Sequence, residues 1–313
     1  MTSLLFFVLM GERVCGVSNA LPPSAGQGGH TLLMGLLRTV VTLPAAPIQF
    51  YEAAFTLFST VDRNGSVAAF VHLRRIPMSL QQKREEQVLD VTEAMEREVV
   101  AALGKGEPEE IMSSASNLKV TREDVHTLRN GCWLNDEVIN FYMGLVMERS
   151  KKAGYPSVHA FSSLFYEKLA SGGYRTVRRL TRRVDVFQKD IILVPINLSL
   201  HWALAVIDMR KKTIKYFDSL GQEGGDKICE TLLKYLQEES REKRHAKLNV
   251  SEWTVHSMEP HEIPQQSNGS DCGVFTCKYA DYISREKPLT FTQIHMPYFR
   301  ERMVWEILHQ ELL

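Results

Sequence analysis

The sequence predicts an α+β fold, and three observations carry that expectation. Three apolar runs of strand length cluster mid-chain. Amphipathic helical stretches precede and follow them, which suits helices packed on a sheet rather than strict β-α alternation. The balance of 44% hydrophobic and 24% charged residues is that of an ordinary globular protein able to bury a core. Together they predict a domain of about 220 residues beginning near residue 88.

Taken in order, Val88 to Leu103 reads as a helix closed by Gly104-Lys-Gly-Glu-Pro. Asn135 to Arg149 is amphipathic, with Val138, Phe141, Tyr142, Leu145 and Val146 at i, i+3, i+4, i+7 and i+8. Ser162 to Ala170 is a further helix, ended by Gly172-Gly173. Ile191 to Ile196 is continuously apolar, as a strand buried on both faces would be. Trp202 to Ile207 and Thr213 to Phe217 are strands joined by the short loop at 208–212, which suits a hairpin. Ile228 to Glu239 is expected to be a helix and Trp253 to His256 a short strand. Asp271 to Ser284 and Tyr298 to Leu312 complete the pattern as helices.

Residues 1–87 show no sustained period, and an irregular or disordered region is expected there. Leu4 to Met10 is apolar, but no basic residue precedes it and Glu12 and Arg13 interrupt it, which argues against a secretory signal. Thr31 to Val41 contains Arg38 and is shorter than the ~20 residues of a membrane-spanning helix.

The chain carries 37 Lys+Arg against 37 Asp+Glu. Zero net charge argues against nucleic-acid binding through bulk charge. The five cysteines, at 15, 132, 229, 272 and 277, are odd in number and form no CxxC pair. A disulfide framework or zinc knuckle is therefore not expected, and a reducing compartment leaves room for a functional thiol. His256, His261 and His295 lack metal-ligand spacing. The basic run Arg175 to Arg183 reads as a solvated helix surface, with a docking face as the alternative.

The chemistry concentrates around three residues. If the strands 202–207 and 213–217 form a hairpin centred near Met209-Arg210, His201 falls opposite Asp218, roughly 4.5–5.5 Å apart at Cβ. A carboxylate there would favour imidazolium and fix the ring tautomer. No GxSxG elbow exists, and Cys272 is the candidate nucleophile. A polar, glycine-bearing loop delivers it to a helix start, where the macrodipole and a nearby imidazolium both favour thiolate. Asp271 or Ser270 is the expected N-cap. Taken singly, a His before a Trp, an Asp ending a strand and a Cys at a helix start each have a plain structural reading.

Together, His201-Trp202, Asp218-Ser219 and Gln265-Gln266 through Asn268-Gly-Ser-Asp-Cys272-Gly273 resemble the signatures of the ubiquitin-like protease family, and more narrowly of the sentrin/SUMO-specific cysteine proteases. Trp133-Leu-Asn-Asp-Glu-Val-Ile-Asn140, Lys278-Tyr-Ala-Asp281 and Met303-Val-Trp-Glu-Ile-Leu308 extend the likeness over residues 88–313. The resemblance implies a papain-like or adenain-like domain with a central mixed sheet flanked by helices. It implies Cys272 as nucleophile, His201 as general base and acid, Asp218 as the orienting carboxylate and Gln266 as an oxyanion donor. Trp133 and Trp202 would wall a tunnel for a Gly-Gly tail, and Asp136 would meet a basic residue of the modifier. For these the alternatives are core aromatics, a loop hydrogen-bonder at 266 and a first-turn acid at 136. The implied activity is removal of SUMO from lysine side chains and processing of SUMO precursors, without metal or cofactor. SUMO and SUMO-conjugated proteins would be the partners of a monomer, with a nuclear location that can extend to the cytoplasm. A binding-only homologue and a protease for another modifier, such as NEDD8, are the competing readings. Asn197-Leu-Ser-Leu departs from the family pattern before His201 and leaves the choice between deconjugation and processing open.

Overall fold

The computed structural model describes residues 92–313 throughout and, in the amino-terminal region, the backbone of three strands. Those strands, β1 (Gly35–Arg38), β2 (Tyr51–Val61) and β3 (Val67–Pro77), form an antiparallel sheet in the order β1-β2-β3. They belong to one compact unit and residues 92–313 to another. For these segments the sheet corrects the expectation of irregular structure over 1–87. A signal was present: both long strands are rich in aromatic and β-branched residues, and Asn64-Gly65, a strong hairpin dipeptide, lies between them. The expected helix start at Val88 lies outside the described residues.

In the second unit, α1 (Glu93–Ala102) starts at Thr92, whose side chain accepts from the Met95 N–H. A hairpin unforeseen in the sequence follows, β4 (Ile111–Ala115) and β5 (Leu118–Thr121). Ser116 and Asn117 turn it, both at positive φ, as a two-residue hairpin turn with native twist requires. Its strands are mostly small and polar, so they carried little apolar alternation. α2 (Arg122–His126) begins with a Thr121/Asp124 capping box. α3 (Asp136–Arg149) is capped by Asn135, which accepts from the Val138 N–H at 3.1 Å. Every residue of its expected apolar stripe is buried.

The central sheet runs β10-β9-β8-β7-β6. Its strands are β6 (Val158–Ala160), β7 (Ile191–Asn197), β8 (Trp202–Asp208), β9 (Thr213–Phe217) and β10 (Thr254–Ser257). The two edge pairings, β6–β7 and β9–β10, are parallel and the inner ones antiparallel, so the sheet is mixed. β6 went unread because three residues are too few to show a period. α4 (Leu164–Gly172), α5 (Tyr174–Val177) and α6 (Gly225–Arg244) contribute Phe165, Leu169, Val177, Leu232 and Tyr235 to a core with Ile192, Val194, Ala205 and Ile207 of the sheet. α7 (Cys272–Ser284) packs on β8 and against α3 and α8 (Met296–His309). Among the described residues no helix is long and apolar enough to cross a membrane.

The β8–β9 register differs from the expected one by two positions: Leu204 faces Phe217 and Asp208 faces Thr213. The turn is longer than a tight hairpin because Asp208 Oδ1 accepts from the N–H groups of Arg210 and Lys211, and Lys212 takes a left-handed φ of 52°. A two-residue shift preserves the alternation of faces, so His201 and Asp218 still share one. The basic run is helical only to Val177, with turns beyond it; its five arginines are exposed, as expected, while Tyr174, Val177 and Thr181 anchor it inward.

Candidate active site

His201 immediately precedes β8, at the end of the β7–β8 hairpin that Asn197 and Trp202 close. The Leu198 N–H donates to the His201 carbonyl at 2.8 Å. This turn requires a left-handed residue, which Ser199 supplies at φ 69°, at a cost of about 1–2 kcal/mol for a non-glycine. Asp218 follows β9 directly. Nε2 of His201 lies 2.6 Å from Asp218 Oδ1, and both side chains are buried. The same oxygen accepts from the Leu220 N–H at 2.8 Å, and Oδ2 from the Tyr216 hydroxyl at 3.4 Å. These bonds hold the carboxylate, which in turn sets the imidazole with Nε2 toward Asp218. The buried Nδ1 makes no formed hydrogen bond.

The Cys272 thiol sits against this ring, close enough for each group to shift the other's protonation. Burial opposes a charged His201, but the hydrogen bond to Asp218 and the nearby Asp218 carboxylate and Cys272 sulfur outweigh it and raise the pKa from 6.5 to about 9. Burial likewise opposes a charged Cys272; the His201 side chain and the N–H groups of Trp202 and Gly273 overcome it and hold the thiol below its ordinary value. Both shifts favour a thiolate–imidazolium pair. The other cysteines of the core show the contrast: burial pushes Cys229 up to about 12 and Cys277 up as well.

Cys272 is the first residue of α7 and Asp271 its N-cap residue, as the sequence suggests, but the side chain of Asp271 does not do the capping. Asp271 stands at the N-cap position without a side-chain cap bond. Its carboxylate is drawn instead to Arg300 Nε at 2.9 Å, Asn268 Nδ2 at 2.7 Å and Gln293 Nε2 at 2.7 Å. Arg300, 1% exposed, also donates to the carbonyls of Thr127, Arg129, Cys132 and Ser270. It thereby ties the loop before Cys272 to the segment entering Trp133.

Trp133 and Trp202 differ in setting. Trp133 is 48% exposed, whereas Trp202 is buried and donates its indole N–H to the Leu134 carbonyl at 2.9 Å. The two aromatics are thus linked through one residue. A Cβ at Gly273 would meet Leu134 at 2.8 Å, so the Cys-Gly sequence lets this segment press onto the start of α7. Asp136 lies in the first turn of α3 and accepts from Ser163 Oγ at 2.5 Å. Gln266 is buried; its Nε2 donates to the Asn268 carbonyl at 2.6 Å and its Oε1 accepts from Ser219 Oγ at 2.5 Å. One of its two amide hydrogens is therefore used.

The structure brings His201, Asp218 and Cys272 together and sets Gln266 in the loop before the cysteine. Sequence reasoning gave no part to Arg300, Ser163 or Ser219. Only Ser219 carried a signal, being adjacent to Asp218. A thiol shifted toward thiolate, an imidazole shifted toward imidazolium and nearby amide N–H groups are the equipment of nucleophilic acyl transfer.

Comparison with known proteins bears on this arrangement. The profile of the Ulp1 protease family, C-terminal catalytic domain, matches residues 132–312. The chain is 60% identical over 240 residues to Sentrin-specific protease 2 of Mus musculus, covering 77% of this chain and 41% of that protein. It is 41% identical over 255 residues to a Sentrin-specific protease of Caenorhabditis elegans, covering 80% of this chain and 36% of that protein. The chain thus spans about two fifths of the length of these relatives. Among solved structures, the C-terminal Ulp1 protease domain in complex with Smt3, the yeast ortholog of SUMO, superposes with a TM-score of 0.63. That match has 34% identity and covers 71% of this chain and 97% of that one.

Proposed function

We propose that this chain, which belongs to the Ulp1 protease family, is a thiol protease that cleaves SUMO from lysine side chains and trims SUMO precursors after their Gly-Gly tail. The observation that carries the reading is the His201 ring held by Asp218 at 2.6 Å with its other nitrogen left for the Cys272 sulfur. The relatives' names and the Smt3 complex of the similar domain support SUMO as the modifier.

In this reading the tail threads between Trp133 and Trp202, where only glycine lets a chain pass flat between two rings. Cys272 thiolate attacks the terminal glycine carbonyl; a C–S bond forms and the carbonyl electron pair moves to oxygen. The second N–H of Gln266 and the Cys272 backbone N–H stabilise that oxyanion. As the tetrahedral species collapses, the C–N bond breaks and His201 gives its proton to the leaving amine. Water then attacks the thioester, passes a proton to His201 and releases the thiolate. Asp218 keeps the imidazole in register throughout. Asp136, one oxygen already committed to Ser163, offers the other to a basic residue of the modifier.

The test is labelling with modifiers ending in glycyl-vinyl-sulfone: SUMO, NEDD8 and ubiquitin in parallel. A covalent adduct with SUMO, lost in Cys272→Ser while binding of uncleaved SUMO persists, is the expected result. No adduct would leave a binding-only protein, and a preferred NEDD8 adduct would change the modifier.

A further inference from the structure

We propose that Ser219 is a positioning residue that, with the Asn268 carbonyl, fixes the plane of the Gln266 side-chain amide and so keeps its second N–H aimed at the developing oxyanion. The inference rests on the reading of Gln266 as oxyanion donor and adds what holds it there.

A glutamine amide has two ends of nearly equal shape and opposite polarity, so its neighbours must decide which way it lies. Here two neighbours decide together. The Asn268 carbonyl can only accept, so the amide end facing it at 2.6 Å is Nε2. The opposite end, Oε1, then faces Ser219 Oγ at 2.5 Å, and the hydroxyl must donate. Ser219 is 1% exposed and Gln266 8%, so water cannot replace this bond at low cost. The backbones agree: the Gln266 N–H donates to the Ser219 carbonyl at 2.9 Å, and Gln265 Nε2 to the Asp218 carbonyl at 3.2 Å. The loop at 265–266 is therefore docked on the dipeptide Asp218-Ser219.

That docking gives adjacent residues complementary tasks. Asp218 accepts from His201 and orients the proton carrier; Ser219 donates to Gln266 and orients the anion binder. Without the hydroxyl, Oε1 is a buried acceptor lacking its donor. The Asn268 carbonyl alone then holds the amide, whose plane is free to tilt, and its second N–H leaves the position where negative charge builds up.

The experiment is a double-mutant cycle on hydrolysis of SUMO carrying a C-terminal aminomethylcoumarin. Ser219→Ala should lower kcat at least tenfold with KM changed less than twofold. In a Gln266→Ala background the same substitution should cost less than a further twofold, because there is no amide left to orient. Ser219→Cys, nearly isosteric but a poor donor, should also lose kcat, which separates orientation from packing. Unchanged kcat in Ser219→Ala or Ser219→Cys would overturn the proposal, as would a full multiplicative loss in the double variant. Should Ser219→Ala fail to fold, as read by circular dichroism, Ser219→Cys decides alone. A silent Gln266→Ala would instead refute the oxyanion role itself.

Discussion

α7 carries two buried sets of charges, and they are built on opposite principles. At its first residue, Cys272 meets His201, whose Nδ1 makes no formed hydrogen bond. Further along, Lys278, with no exposed surface, donates to the Tyr142 hydroxyl at 2.7 Å and lies 3.6 Å from both Asp281 and Glu306. Arg149 closes on Asp281 at 2.6 Å and Arg302 on Glu306 at 2.8 Å, while the Tyr142 hydroxyl donates to Glu306. The second set is closed: each of its cations is paired with a carboxylate and each carboxylate with more than one cation. The first is left open at one nitrogen and one sulfur. Buried charge alone therefore does not mark a reactive centre; an uncommitted valence beside it does.

The comparison breaks most visibly at Asp218. Asp218→Asn should lower kcat by about 10²–10⁴-fold, through the wrong tautomer and the lost imidazolium, with SUMO affinity unchanged. Steady-state kinetics beside a binding titration measures both, and an unchanged rate would remove Asp218 from the mechanism.

Asp281→Asn should do the reverse. It strands the cations of Lys278 and Arg149 in the core and should cost about 3–5 kcal/mol of stability. Urea unfolding measures the loss. The folded fraction should keep its kcat within threefold, and a large kcat loss would show the two sets to be coupled.

pH separates them by sign. The folded value of His201, about 9, lies above its ordinary 6.5. Its stabilising charge, and its capacity to protonate the leaving amine, are present in full below about pH 6.5 and lost as pH rises through about 9. Burial works against ionised Asp281, but Lys278, Arg149, Arg285 and Arg302 prevail and lower it from 3.8 to about 2. Its contribution is present above about pH 4 and lost as pH falls toward 2. Turnover should fade on the alkaline side and the fold on the acid side, as rate profiles and melting at each pH would show.

The smallest effect is expected at Ser199. Ser199→Gly relieves a left-handed backbone and should add about 0.5–1 kcal/mol without altering kcat. A destabilised variant would mean that the serine has a further partner in the turn.

How far the sequence spoke depended on the range of each interaction. The α3 stripe, the runs at β7 and β8 and the position of Cys272 at a helix start are local patterns, and all were legible. The closeness of His201 to Asp218 was legible too, although the turn at 208–212 moved the register by two, since face alternation tolerates an even shift. Asp271 shows where local reasoning stops. Its position is that of a cap, but a guanidinium 29 residues away in sequence claims the carboxylate. Nothing near Arg300 announces that its donors would span two loops, one at 127–132 and one at 270–271, and the short strands β4 to β6 had too little apolar pattern to be seen.

One feature of α7 reaches beyond stability. Of its thirteen residues only Ile283 is not buried, so the rod that bears the sulfur is gripped along its whole length. Such a rod has no play with which to follow a guest of varying shape. Whatever freedom this end of the fold has lies in the outward-facing indole at 133, 48% exposed where Trp202 is buried.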